Sequence, residues 1–101
     1  MNKLILTIIA TLLMMPAMAE SEAEQTARTL CAACHGPYGI STNELWPNLA
    51  GQKGPYMAKQ LRDYRDGTRN DPNMNSLVQT LTDAQIDALA AHYARMPAEE
   101  E

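Results

Sequence analysis

Cys31-Ala32-Ala33-Cys34-His35 is the stretch of this 101-residue sequence that decides its fold. It contains both cysteines of the chain, three positions apart, and a histidine directly after the second one. Residues three apart on a helix share a face, so both thiols can point to one side with the imidazole beside them. This spacing is typical of a c-type haem attachment site, in which two thioethers hold the porphyrin and the histidine binds its iron.

Three other uses of a Cys-x-x-Cys pair compete with this interpretation. A structural disulfide between Cys31 and Cys34 would close a very small loop and stabilise little. A thioredoxin-like dithiol needs a βαβ setting, and no strand pattern surrounds the pair. Zinc needs four ligands, and the only histidine besides His35 is His92, far away on a predicted helix. Covalent attachment of one haem c through the two cysteines is therefore the preferred interpretation.

The first 19 residues are predicted to be a cleaved signal peptide. Lys3 precedes a mostly apolar run from Leu4 to Met15, and Ala17-Met18-Ala19 resembles a signal-peptidase site. The run of about 12 residues is well short of the roughly 20 that a membrane-spanning helix needs, which disfavours a retained anchor. Residues 20–101 are expected to form one domain in the periplasm, without stable membrane insertion.

The composition of this domain limits its partners and its core. Seven basic residues against twelve acidic ones give a net charge of −5, which argues against nucleic acid and suits a redox partner with a basic patch. Solubility alone explains the same charge equally well. A domain of this size buries only about 60% of its unfolded surface, and this one has no Phe and one Trp. We therefore expect a non-protein group in the centre.

Four helical segments and no strand are predicted, so the fold class is all-α. Capping boxes mark two of the starts, a proline in the first turn marks a third, and a glycine marks one end. The segments run from Ser21 toward Ala33, from Pro55 to Gly67, from Leu77 to Leu81, and from Thr82 to just before Pro97. The glycine- and proline-rich connection 36–54 is too long for a simple turn and is predicted to be a functional loop.

With these residues identified, the sequence resembles the class I c-type cytochromes, and most of all the short bacterial periplasmic branch or one half of its two-haem relatives. The likeness rests on the motif 31–36 and on weaker motifs in a matching order, at 47–52, 60–61, 64–67, 69, 74, 81–86 and 89–94. It implies three to four short helices wrapped around one covalently attached haem c, with the first and last helices crossing beside it. It also implies that the Pro47 carbonyl accepts a hydrogen bond from His35.

The second iron ligand beside His35 has four candidates. Met57 lies on the apolar face of its predicted helix and is expected to pack in the core, as methionine commonly does. Met96 lies at the end of the last helix, and His92 is expected to be mostly exposed because it lies off the apolar stripe. Met74 lies in an irregular loop and matches the ligand position of the family, so Met74 is the predicted ligand.

His/Met ligation closes both faces of the iron and raises its reduction potential, which predicts a monomeric one-electron carrier between redox enzymes or respiratory complexes. The alternatives are a gas-binding sensor with an open axial site and a cytochrome subunit of a larger oxidoreductase. No acid/base constellation indicates independent catalysis. Arg69 is either a propionate partner or a solvated loop residue. Donation to the propionates is the alternative for Trp46, Tyr56 and Tyr64, for which an ordinary core role is favoured.

Overall fold

The computed structural model describes residues 3–11 and 20–98, and these residues form helices and loops with no strand. Residues 3–11 are irregular and exposed, and the predicted cleavage site at 17–19 lies outside the described residues. Within the described part of the chain, no helix has both the length and the apolar character needed to cross a membrane. The prediction of an all-α fold is confirmed.

The first helical stretch is continuous but changes its hydrogen-bond register in the middle. It consists of α1 (Glu22–Thr26), a π-helical segment π1 (Ala27–Cys31) and α2 (Ala32–His35). The side chain of Ser21 accepts a hydrogen bond from the Glu24 amide at 3.1 Å, which confirms the predicted N-cap. The Ala32 amide donates to the Ala27 carbonyl, five residues back, which is the register of a π-helix. The sequence did not predict π1.

Two of the other helices begin and end where the sequence predicts. Helix α3 (Gly54–Asp66) has a proline in its first turn and ends at Gly67, which has a φ of +84°. Helix α5 (Asp83–Ala94) starts with a complete capping box: the Gln85 amide donates to Thr82 Oγ1 at 3.1 Å and the Thr82 amide to Gln85 Oε1 at 2.9 Å.

The short helix α4 (Met74–Leu77) lies earlier in the chain than predicted. The prediction of 77–81 rested on its apolar residues, and it is wrong because Val78 and Leu81 reach the core from a turn, where they are 4% and 6% exposed. The helical turn instead begins after Asp71, whose carboxylate accepts hydrogen bonds from the backbone amides at its start.

The core lies between α3 and α5, with α1 packed against α5 as well. The predicted apolar stripe of α5 is confirmed, since all four of its members are buried: Ile86, Leu89, Ala90 and Tyr93. From the opposite side, Met57 and Ala58 of α3 and Ala27 of π1 complete the same cluster. The packing of the first helical stretch against the last helix agrees with the crossing that the resemblance implies.

The loop between α2 and α3 folds back on itself, and hydrogen bonds to Gly39 hold its two sides together. The Gly39 carbonyl accepts hydrogen bonds from the amides of Leu49 and Ala50, at 2.8 and 3.0 Å. Gly39 has a φ of +72°, and a Cβ atom there would lie 2.8 Å from the Ala50 nitrogen and 3.1 Å from Tyr93 Cδ1. Only glycine satisfies both the backbone conformation and the close approach.

Gly39→Ala is expected to lower the free energy of unfolding by about 3 kcal/mol, which combines left-handed strain with overpacking. Gly67→Ala is the matched control, because Gly67 has a φ of +84° and its Cβ atom would meet nothing within 4 Å. The control is expected to lose only about 1 kcal/mol, from strain alone. Denaturant unfolding of the haem-loaded proteins measures both values, and equal losses would contradict the crowding seen at Gly39.

Candidate haem site

His35 is the last residue of α2, and its side chain is buried at 7% exposure. Its Nδ1 lies 2.8 Å from the backbone oxygen of Pro47. A carbonyl oxygen can only accept, so Nδ1 carries the proton and Nε2 keeps its lone pair, which is the form that binds a metal. The expected hydrogen bond between His35 and Pro47 is confirmed.

The end of α2 is fixed by the backbone of Gly36. The Gly36 amide donates to the Ala32 carbonyl at 2.9 Å. Gly36 then turns to a φ of +86°, and a Cβ atom there would collide with the carbonyl oxygen of Ile40. The helix must therefore stop at His35, and the chain turns away to form the loop that brings Pro47 back to the imidazole.

Cys31 and Cys34 are both free thiols and half-buried, at the end of π1 and within α2. They are not joined in a disulfide, so each sulfur is available for a thioether bond. Burial raises the pKa of the Cys31 thiol, and the nearby Tyr93 side chain partly offsets that effect. Tyr93 is 2% exposed and belongs to the core, so α5 contributes directly to the surroundings of the first thiol.

Met74 is the first residue of α4 and is half-buried against the core. Its rivals are placed differently: Met57 is 5% exposed within the core, and Met96 packs half-buried beyond α5. His92 is half-buried rather than mostly exposed, because its ring packs edge-on against Tyr93 with 5.1 Å between ring centroids. The choice of Met74 over these three stays a prediction.

The aromatic residues near the site differ from expectation. The expected core role is wrong for Trp46, in the loop, and for Tyr56, in α3, because they are 38% and 51% exposed. Tyr64 is half-buried and packs against the core, as expected. The Arg69 guanidinium lies 4.6 Å from the centre of the Tyr64 ring and donates to Gln60 Oε1 at 2.8 Å.

These donors fit a haem better than a bare metal ion. Among residues 3–11 and 20–98, no group of three or more His, Cys, Asp or Glu side chains could hold an ion. The same residues offer two reduced thiols three positions apart and a buried imidazole with its proton held on Nδ1. Sequence reasoning found these residues but missed Tyr93 as a partner of Cys31, since only the fold brings the last helix to the motif.

The family model described as Cytochrome c matches residues 20–94 of this chain. Cytochrome c4 of Thiocapsa roseopersicina is 43% identical over 74 residues, which make up 73% of this chain and 38% of that protein. Cytochrome c-554(548) of Halomonas halodenitrificans is 39% identical over 67 residues, which make up 63% of this chain and 81% of that protein.

A solved structure is also similar. The crystal structure of reduced recombinant cytochrome c4 from Pseudomonas stutzeri matches with a TM-score of 0.65 and 29% sequence identity, over 78% of this chain and 50% of that one. The chain therefore spans half or less of the length of these cytochromes c4.

The buried phenol of Tyr93 makes stability depend on pH. Burial raises the pKa of Tyr93 above its usual range. An unfolded tyrosine ionises near pH 10, so above about that pH the folded protein binds more protons than the unfolded one and its free energy of unfolding falls as pH rises. Tyr93→Phe is expected to make this fall shallower, because a buried phenylalanine has no proton to lose.

Unfolding of the haem-loaded protein between pH 8 and about pH 11 measures this effect, a range chosen to bracket the ordinary tyrosine pKa. Tyr38→Phe is the control, because the Tyr38 side chain is 70% exposed. An identical pH dependence for Tyr93→Phe and the unaltered protein would contradict the assignment.

Proposed function

This chain belongs to the cytochrome c family, and from that premise we propose that it is a one-electron carrier of the periplasm. The family model covers residues 20–94, and the match to a solved cytochrome c4 agrees with the predicted class I cytochrome c fold. The cofactor of this family is covalently attached haem c, which supplies the reversible exchange of a single electron at its iron. The buried imidazole of His35, with Nδ1 held by the Pro47 carbonyl, is the observation that carries the proposal.

The attachment residues of the proposal are Cys31 and Cys34, and the iron ligands are His35 through Nε2 and Met74 through its thioether sulfur. Support for the first three comes from the two free, half-buried thiols and from the buried imidazole that ends the same helical stretch. Support for Met74 comes from its half-buried position at the start of α4, against the same core.

Each of these side chains has a distinct task in a carrier. The Pro47 carbonyl holds the proton on Nδ1, which fixes the tautomer and the orientation of the His35 ring. The Met74 thioether is a soft, neutral donor that favours ferrous iron and so raises the reduction potential. His35 and Met74 would together hold the iron and would leave no open site for substrate or gas, which is why the proposal includes no catalytic role.

The domain boundaries and the location are part of the same proposal. Residues 1–19 act as a cleaved signal peptide and residues 20–101 as the periplasmic domain. The net charge of −5 on that domain suits redox proteins with basic docking patches. This chain spans only half or less of the length of the cytochromes c4 that it matches, so its exchange of electrons with redox partners and its monomeric state belong to the proposal as well.

Met74→Ala is expected to lower the reduction potential and to abolish the weak near-infrared charge-transfer band of thioether-ligated ferric haem, because the axial sulfur is lost. The reduced variant is also expected to bind carbon monoxide, whereas the unaltered protein is expected not to. Redox titration and visible spectra measure these changes.

Met96→Ala is the matched control, since Met96 is also a half-buried thioether against the core. If Met74→Ala leaves the spectrum unchanged, the ligand role passes to another residue. If the unaltered reduced protein binds carbon monoxide readily, the gas-binding alternative gains and the carrier assignment fails.

Haem attachment is tested on the protein matured in its native compartment. Mass spectrometry under denaturing conditions is expected to show the polypeptide plus one haem, because thioether bonds survive unfolding. Cys34→Ala should keep the haem through Cys31 alone, and the remaining vinyl group should shift the visible bands of the pyridine complex to longer wavelength. A polypeptide mass without haem would remove the basis of the proposal.

A further inference from the structure

We propose that Asn75 is the positioning residue of the Met74 ligand, holding the start of α4 against the end of α3 so that the thioether is presented in one place. This inference rests on the proposed function, in which Met74 binds the iron. It concerns a residue whose side chain touches neither thiol nor the imidazole in the structure, and it acts only through Met74.

The side chain of Asn75 forms three short hydrogen bonds, and all three go to backbone groups. Its Nδ2 donates to the carbonyl oxygens of Tyr64 and Arg69, at 2.7 and 2.8 Å. Its Oδ1 accepts from the Asp71 amide at 2.6 Å. A carboxamide has two N–H donors and one carbonyl acceptor, so both donors and the acceptor of Asn75 are in use.

The contact with Tyr64 joins the Met74 segment to a helix end that needs partners. Tyr64 is one of the last residues of α3, whose final carbonyl groups have no partner within the helix. Two neighbouring carbonyl groups of α3 also accept hydrogen bonds from residues that flank Met74 in the sequence. Asp63 O accepts from the Arg69 amide at 3.0 Å, and Arg65 O accepts from Gln79 Nε2 at 3.0 Å. The end of α3 is thus bonded to residues on both sides of Met74.

A second set of bonds carries this constraint to the backbone of Met74. Asp71, held at its amide by Asn75, has a carboxylate oxygen that accepts from the amides of Asn73 and Met74 at 3.0 and 2.9 Å. The Met74 carbonyl in turn accepts from the Val78 amide at 3.2 Å. Met74 is therefore fixed through its own amide and carbonyl, and Asn75 joins that fixed turn to α3.

Such a constraint matters more for a thioether than for an imidazole. A thioether is a neutral, soft ligand, and ferric iron prefers harder donors, so the bond from Met74 is weakest in the oxidised protein. Holding the ligand in place before it binds removes the entropy cost of ordering it at the iron. Loss of Asn75 is therefore expected to favour displacement of Met74 by an added ligand in the ferric state.

The test is imidazole binding to the ferric, haem-loaded protein, followed by visible spectroscopy. Asn75→Ala is expected to bind imidazole about tenfold more tightly than the unaltered protein, which is the effect of losing roughly one well-formed constraint on the turn. The near-infrared thioether band should weaken in parallel. Asn75→Asp keeps the oxygen that accepts from Asp71 but loses both donations, so it should show the same direction of change and serves if Asn75→Ala does not fold.

Asn73→Ala is the matched control. Asn73 is the other neighbour of Met74 and the same residue type, but its side chain is exposed and makes no hydrogen bond with the described part of the chain. It is expected to stay within about twofold of the unaltered protein, as surface substitutions usually do. Thr82→Ala is a second control, because it weakens α5 by removing its cap at a distance from Met74 in the sequence.

The outcomes separate this inference from the proposed function. If Met74→Ala leaves the spectrum of the protein unchanged, the ligand assignment fails first and Asn75 loses its role with it. If Met74 is the ligand but neither Asn75 variant changes imidazole affinity, the positioning role is overturned while the carrier remains. Equal changes in Asn73→Ala or Thr82→Ala would also overturn it, because the effect would then be general destabilisation.

Discussion

The hydrogen bond from His35 Nδ1 to the Pro47 carbonyl is the constraint on which the site depends. It fixes the tautomer of the imidazole, and it exists only because the loop after α2 folds back to its starting point. That return is held at Gly39, whose carbonyl binds two later amides of the loop. The Gly51 amide then donates to the Tyr93 carbonyl at 2.9 Å, which ties the loop to α5 and so to the core.

The two proposed iron ligands are held by different physical means. His35 is buried at a helix end and needs one acceptor to set its orientation. Met74 has a flexible side chain with no donor or acceptor of comparable strength, so its backbone is constrained instead, through Asp71 and Asn75. A single hydrogen bond is enough to orient a rigid imidazole ring. A flexible thioether side chain is positioned instead by fixing the backbone turn to which it is attached.

Local signals predicted the features of the fold that depend on local chemistry. The cap at Thr82 and the end of α3 at Gly67 follow from hydrogen bonds and backbone preferences within a few residues. The position of α4 and the register change in π1 do not follow from such local preferences. Tertiary packing decides, for example, whether Val78 lies in a helix or a turn. For the same reason the motif revealed Cys31, but nothing local revealed that Tyr93 is its partner.

The cofactor and the helices have to be considered as one core. Within the described residues, only Ile86 and Leu89 are large side chains with less than 2% exposure, and Tyr93 is their aromatic neighbour. A protein core of that size is marginal for a domain of this length without added cross-links or cofactors. Cys31 packs, partly buried, against the same core cluster as this stripe of α5, so a haem attached to Cys31 would adjoin it. The motif that would attach the haem would therefore also supply the missing part of the hydrophobic core.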